Sequence, residues 1–298
     1  MIILIIMFSF SIFLCADSTK KTIQKLDLRD GVIINNIKIK DVIPEDPGVL
    51  ADGGKINAIK NKALMFVNKP VTNNDVVIME TSHGTIKLEL YPEKAPNHCN
   101  NFKKLANSGF YDKTIFHRII PGFMIQGGDI LTRDFNPDND GTGNPGWTID
   151  QEFNDIRHER GILSMARSKD VNSAGSQFFI CVDQAYHLDF KYTVFGKVIE
   201  NEFVLDIITK IPSESKQILN DSKNKIPEGE LSEDWLEYSF GGKKWFIKKP
   251  ALKTKEEFEM YVSKRLKNKH RTHVPVIINK VRVVDTNTYI EDSNIIQE

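Results

Sequence analysis

Few residues in this 298-residue chain could do chemistry by their type and spacing. Gly141-Thr142-Gly143-Asn144-Pro145-Gly146 has the form G-x-G-x-x-G, which at the start of a helix cradles a dinucleotide pyrophosphate. Here no strand runs directly into it, no periodic helix opens from it, and no acidic residue stands about 20 positions on, so it fails its context. His83, His98, His117, His158 and His187 show no metal-ligand spacing, and no metal is expected. Each reads as an ordinary structural or surface histidine. No G-x-S-x-G elbow supports a hydrolase. Arg118 and the nearby Phe123-Met124 pair remain; alone, the first reads as a surface or salt-bridged arginine and the second as core.

The elements that would position these residues begin at Val76. Thr85 to Leu90 alternates strictly, which places Ile86, Leu88 and Leu90 on the core side of a strand. Ala95, Cys99, Phe102 and Ala106 recur at helical spacing, with Pro96 suited to the first turn and Gly109 beyond the end. Strand-like runs follow at 115–120, 123–127, 162–166, 177–182 and 193–198. A second amphipathic helix is expected over about 201–211, with Phe203, Ile207, Ile208 and Ile211 on one face. From 213 to 273 the chain is Lys-rich and broken by Pro227 and Pro250. Within it, 235–240 and 243–247 read as a hairpin around Gly241-Gly242. Thr254 and Glu257 form a capping box before Phe258, Val262 and Leu266. The basic run Lys264 to Arg271 reads as a solvated helix end, with an acidic partner or membrane surface as the sharper alternative. Val276 to Val284 reads as a last strand.

Composition fits a soluble globular protein, 40% hydrophobic and 27% charged. Lys+Arg and Asp+Glu balance at 40 each, so no global charge draws the chain to nucleic acid. Met1 to Leu14 is uncharged and apolar, too short for a spanning helix and suited to a signal-peptide core. Cleavage is expected before Asp17. The alternative is lipidation of Cys15, which would attach the protein to a membrane. Either way the expected location is periplasmic or otherwise extracytoplasmic. Cys99 and Cys181 then remain, each within an apolar pattern; an oxidising compartment would permit one disulfide between them, and two buried free thiols are the preferred reading.

Five ordered runs resemble the cyclophilin family. Phe116-His117-Arg118-Ile119-Ile120-Pro121-Gly122-Phe123-Met124-Ile125-Gln126-Gly127-Gly128-Asp129 matches its signature almost residue for residue. Gly141-Thr142-Gly143, Ile162 to Ala166, Gly175-Ser176-Gln177-Phe178-Phe179-Ile180 and Val194 to Val198 follow in the family's order. The resemblance covers about Val76 to Ile211, plus Pro275 to Val284. It implies a mainly β fold, a closed eight-stranded antiparallel barrel capped by two α-helices.

It also implies an activity, peptidyl-prolyl cis-trans isomerisation, on proline-containing polypeptides and without cofactor. Rotation about an X-Pro bond breaks amide resonance, a barrier of about 18–20 kcal/mol. No nucleophile, metal or proton relay is needed. A cation that hydrogen-bonds the pyramidal proline nitrogen in a water-poor groove would lower the barrier. By resemblance Arg118 is that cation and Gln126 the side chain that orders it. Phe123, Met124, Phe179 and Leu188 match the proline pocket, and Gly141, Ala166, Arg167 and Gln177 the adjacent peptide contacts. The rival reading is a non-catalytic module that holds proline peptides in the same groove; retention of Arg118 and Gln126 favours the enzyme.

This chain departs from the family at three places. His187 stands where many members have a Trp that donates a hydrogen bond to cyclosporin, so weak cyclosporin binding is expected. Tyr192 replaces a frequent His at the pocket rim, and Phe190 a usual Gly. The expected organisation is a signal over 1–16, an extension of unread role over 17–75, the isomerase domain over 76–284 with 213–273 as an excursion outside the barrel, and a tail over 285–298.

Overall fold

Alternating apolar residues drive the central element of the structure, one large antiparallel sheet. In the computed structural model the described residues are 53–286, apart from 135, 241 and 251–253. All of them fall in one unit, 49–298. Residues 1–16, expected to be a signal, residues 17–52 of the expected extension, and the tail beyond 286 lie outside the described residues. Among those described, no helix is long and apolar enough to cross a membrane.

The sheet contains β1 (Asp75–Thr81), β2 (Gly84–Leu90), β3 (Thr114–Ile115), β4 (Arg118–Ile120), β5 (Met124–Gly127), β6 (Ile162–Met165), β7 (Phe178–Cys181), β8 (Val194–Glu200) and β11 (Ile277–Asp285). Its order is β3-β11-β1-β2-β8-β6-β7-β5-β4. This corrects the closed eight-stranded barrel: among the described residues this sheet has nine strands, and its ladder is open between β3 and β4. The physical reason lies in the run 115–120. Phe116 and His117 leave the ladder, so the expected single strand becomes two short ones at opposite ends of the sheet. Because only two residues separate them, the sheet curls round and its ends are joined by the chain itself. Phe116 N–H donates to Val276 O at 3.0 Å on one side of the break, and Ile119 N–H donates to His270 O at 2.7 Å on the other.

Period-two alternation gives this sheet two apolar faces. Ile86, Leu88, Ile125, Leu163, Phe178, Ile180 and Phe195 face inward and form the main core with α2 (Pro96–Ser108). Phe102, Tyr111, Phe116, Phe178 and Phe195 supply its aromatic centre, several of them edge to face. Such pairs are favoured because a ring's positive edge meets its neighbour's negative face. Gly109 closes α2 at φ 83°, its N–H turned back to the helix's last carbonyls.

Besides the two barrel helices and the one expected after Thr254, two more helices are present among the described residues. α1 (Gly53–Met65) buries Ile56 and Ala63 in the main core. α3 (Phe203–Lys210) buries Val204, Leu205 and Ile208. Of the expected face, Ile208 is buried and Ile211 packs half-buried against the main core, whereas Phe203 is 59% exposed. α4 (Glu214–Asp221), the hairpin β9 (Trp235–Phe240) and β10 (Lys243–Lys248), and α5 (Lys255–Lys267) follow. Leu236, Ile247, Phe258, Val262 and Leu266 form a small separate core among them. Thr254 and Glu257 make the reciprocal capping box that opens α5. Cys99 and Cys181 are buried free thiols, each pushed up to about 12 by burial.

Candidate functional site

The second face of the sheet carries the site. Where Ile119, Ile125 and Ile180 point inward, their neighbours Arg118, Ile120, Met124, Gln126, Phe179 and Cys181 point outward. Register then sets three of them in a row across adjacent strands: Arg118 opposite Gln126, and Gln126 opposite Phe179.

Met124, Ile162, Phe179, Cys181, Ala185 and Val194 make an apolar cluster distinct from the main core, and Phe123, Ala166, Leu188 and Tyr192 pack against it half-buried. Those last side chains leave part of their apolar surface exposed. Arg118 borders this patch. Burial pulls its guanidinium somewhat below its ordinary range, with Tyr192 acting in the opposite direction. An arginine so placed remains a cation at neutral pH.

A chain of amides fixes that cation. Arg118 Nη1 donates to Gln126 Oε1 at 3.3 Å. Gln126 Nε2 donates to Gln177 Oε1 at 3.0 Å. Gln177 Nε2 donates to the carbonyls of Gly141 and Gly143 at 3.0 and 2.9 Å. Asp129, fully buried, holds those glycines from below, accepting the N–H groups of Gly141 at 2.5 Å and Gly143 at 3.1 Å. The close approach explains a glycine at 143, since a Cβ there would lie 1.8 Å from Asp129 Oδ1. Burial raises the Asp129 carboxyl against the lowering by these N–H donors.

The remaining expected residues form the rim. Arg167 lies over the Tyr192 ring at 4.6 Å and donates to Lys191 O at 2.9 and 3.1 Å. His187 is exposed, its ring 5.3 Å from that of Phe123. Phe190 is 66% exposed and holds φ at 59°, the left-handed conformation that a glycine would adopt without strain. All twelve expected site residues thus meet in one region.

Two contributors escaped the sequence reading. His158 stacks on Phe179, with ring centres 6.0 Å apart and planes at 15°. Its Nδ1 lies 3.0 Å from Asp189 Oδ1 and its Nε2 3.0 Å from Ser164 Oγ. The Ser-His-Asp order invites a nucleophilic reading, but Ser164 is fully buried and its hydroxyl donates to Thr193 O at 3.0 Å. The trio supports the Phe179 ring and ties the 186–192 loop to β6. Burial lowers the His158 imidazole's proton affinity, against the pull of Asp189. His117 is the second. It is buried, its Nδ1 has no hydrogen-bond partner among the described residues, and burial together with Arg118 and Arg271 pushes it down to about 4. Its place beside Arg118 in the sequence was the available signal.

Comparison with known proteins identifies the family. The family profile described as cyclophilin type peptidyl-prolyl cis-trans isomerase/CLD matches residues 76–227. A peptidyl-prolyl cis-trans isomerase of Synechococcus elongatus is 48% identical over 125 residues, covering 42% of this chain and 81% of that protein. Peptidyl-prolyl cis-trans isomerase B of Bacillus subtilis is 53% identical over 115 residues, covering 38% of this chain and 75% of its own length. A crystal structure of a Cryptosporidium parvum cyclophilin type isomerase, determined in the presence of the dipeptide Ala-Pro, is 27% identical with a TM-score of 0.48, covering 70% of this chain and 98% of that one.

Proposed function

This chain belongs to the cyclophilin-type peptidyl-prolyl cis-trans isomerase family and is a peptidyl-prolyl isomerase, and from that premise we propose that Arg118 is its catalytic cation and that its clients are exported proteins. The observation that carries the catalytic reading is the row Arg118–Gln126–Phe179, which sets a fixed guanidinium at the border of an apolar patch.

In the ground state the prolyl nitrogen's lone pair is delocalised into the carbonyl. As the bond twists, the nitrogen becomes pyramidal and the lone pair becomes a hydrogen-bond acceptor. Arg118 donates to it at that moment and much less before, so the contact favours the transition state over the substrate. Gln126 keeps the guanidinium aimed. Phe123, Met124, Phe179 and Leu188 hold the pyrrolidine ring while the acyl side rotates. Gly141, Ala166, Arg167 and Gln177 contact the flanking peptide, with His187 and Tyr192 at the rim. An acceleration of about ten-thousandfold needs roughly 5.5 kcal/mol of such differential binding. A protease-coupled assay on an X-Pro peptide, run on wild type and Arg118→Ala, tests the assignment. Equal rates would remove Arg118 from the mechanism.

Export rests on the uncharged apolar start, Met1 to Leu14. The mature chain begins at Asp17, or at a lipidated Cys15. Mass spectrometry of natively expressed protein decides between them, and an intact Met1 on cytosolic protein would overturn both. Cyclosporin binds weakly, because His187 lacks the area and fixed donor of an indole. The isomerase domain spans 76–284, with 17–75 preceding it and 285–298 as a tail.

A further inference from the structure

The basic run Lys264 to Arg271 is not simply a solvated helix end. Lys264 Nζ lies 2.7 Å from Asp138 Oδ2, with both side chains more than half exposed. Arg265 pairs with Glu214. Arg271, 6% exposed, pairs with Asp140, 8% exposed, and its Nε lies 3.6 Å from Glu214 Oε1. One residue earlier, His270 O accepts the Ile119 N–H, next to Arg118. The excursion was expected to pack outside the sheet, yet its C-terminal end grips both the loop before Gly141 and the outer edge of β4.

Asp140 immediately precedes the glycine whose carbonyl anchors Gln177. The 138–143 loop is thus held from below by Asp129 and from the side by Arg271. His117 packs beside the same glycine, its Nε2 3.8 Å from where a Cβ on Gly141 would stand. A buried ion pair gives up the hydration of both charges, so it adds little stability over an apolar pair of similar shape. What it does supply is one geometry for the groups it joins. We propose that Arg271 is a positioning residue for the isomerase: by fixing Asp140 it fixes the Gly141 and Gly143 carbonyls, and through Gln177 and Gln126 it fixes the Arg118 guanidinium. The excursion is then part of the enzyme. This rests on the reading of Arg118 as the cation.

The charge environment of Asp140 gives the relay a signature. Its carboxyl is pushed up to about 6 by burial, with Arg271 lowering it and Asp129, Asp134 and Glu214 raising it. Protonation near that pH would weaken the grip of Arg271, so the relay loosens in mild acid. His117, held near 4, stays neutral through this range.

The test measures cis–trans exchange of an X-Pro peptide by NMR from pH 5 to 8, with the full-length protein and four variants. Arg271→Ala should lose about tenfold or more in kcat/KM at pH 7.5, mainly in kcat, and should lack the wild-type decline below pH 6. Arg271→Lys should lose less and keep that decline. Lys264→Ala, which removes only the exposed pair, should match wild type. If Arg271→Ala does not fold, Arg271→Lys carries the test, since it keeps the charge and loses the planar fork. Wild-type kcat/KM and an unchanged pH profile in whichever Arg271 variant folds would overturn the proposal. Arg118→Ala separates the two readings. If it is inactive while Arg271 variants are normal, only the relay fails; if it is fully active, the catalytic assignment fails first.

Discussion

Gln126 stands directly opposite Arg118 in the β4–β5 register, and its Oε1 accepts from the guanidinium at 3.3 Å. Arg118→Ala should therefore keep the fold and lose about a hundredfold in kcat/KM, roughly 2.7 kcal/mol of transition-state stabilisation. Gln126→Ala should lose about tenfold, because the cation remains but is no longer aimed. Stopped-flow isomerisation alongside thermal melts of both variants checks the two figures.

His187 lies exposed against Phe123, where an indole would cover more apolar surface and offer a fixed N–H donor. Substituting His187→Trp should strengthen inhibition by cyclosporin about tenfold, equal to about 1.4 kcal/mol. Titrating inhibitor against both proteins measures it, and identical potency would disprove the argument.

His117 has its proton affinity depressed to about 4 in the folded chain, against an ordinary value of 6.5. As pH falls through 6.5, the unfolded chain takes up a proton that the folded chain refuses. The contribution of His117 to stability is thus fully present above about 6.5 and is lost progressively down to about 4. Up to about 3 kcal/mol is at stake. Asp140 titrates with the opposite sign, so a single melt series would mix the two. The difference in stability between wild type and His117→Gln largely cancels the Asp140 contribution and should shift against wild type as pH drops from 7 to 4. A difference independent of pH would contradict the burial argument.

Ending the chain after Ile211 removes β11, which pairs with β1 from Asp75↔Asp285 to Thr81↔Ile278 and with β3 at Ile277 and Ile278. It also removes the fully buried Val276, Ile278 and Val281 from the core. Such a truncation should show no cooperative melt and no isomerase activity. A folded, active protein ending at Ile211 would show that β11 is dispensable.

Local patterns in the sequence revealed what local forces decide. The alternation at Ile86, Leu88 and Leu90, the stripe Ala95, Cys99, Phe102 and Ala106, and the Thr254–Glu257 box each depend on neighbours a few residues away. The face of α3 departs in part for a related reason. Ile208 is buried as expected, but tertiary packing adds Val204 and Leu205 and leaves Phe203 exposed. The break at Phe116 and His117 could not be read because it arises where the curled sheet meets itself. Nor could the pairing of Arg271 with Asp140, 131 residues apart. A basic run has the same composition whether water or a buried carboxylate faces it. The outward face of the sheet was read by family resemblance, since alternation alone cannot distinguish an apolar pocket from core.

The pairing of β1 with β11 also bears on how this enzyme comes into being. Val76 has its partner at Val284, so the first strand of the sheet must wait for nearly the whole domain before one of its two ladders can form. Contacts of such long sequence separation make folding slow, because the intervening chain loses its freedom before the contacts repay it. Arg271 arrives in the same late stretch. During synthesis, Arg118 emerges more than 150 residues before β11, and a partly made chain holds the residues of an isomerase without the geometry of one.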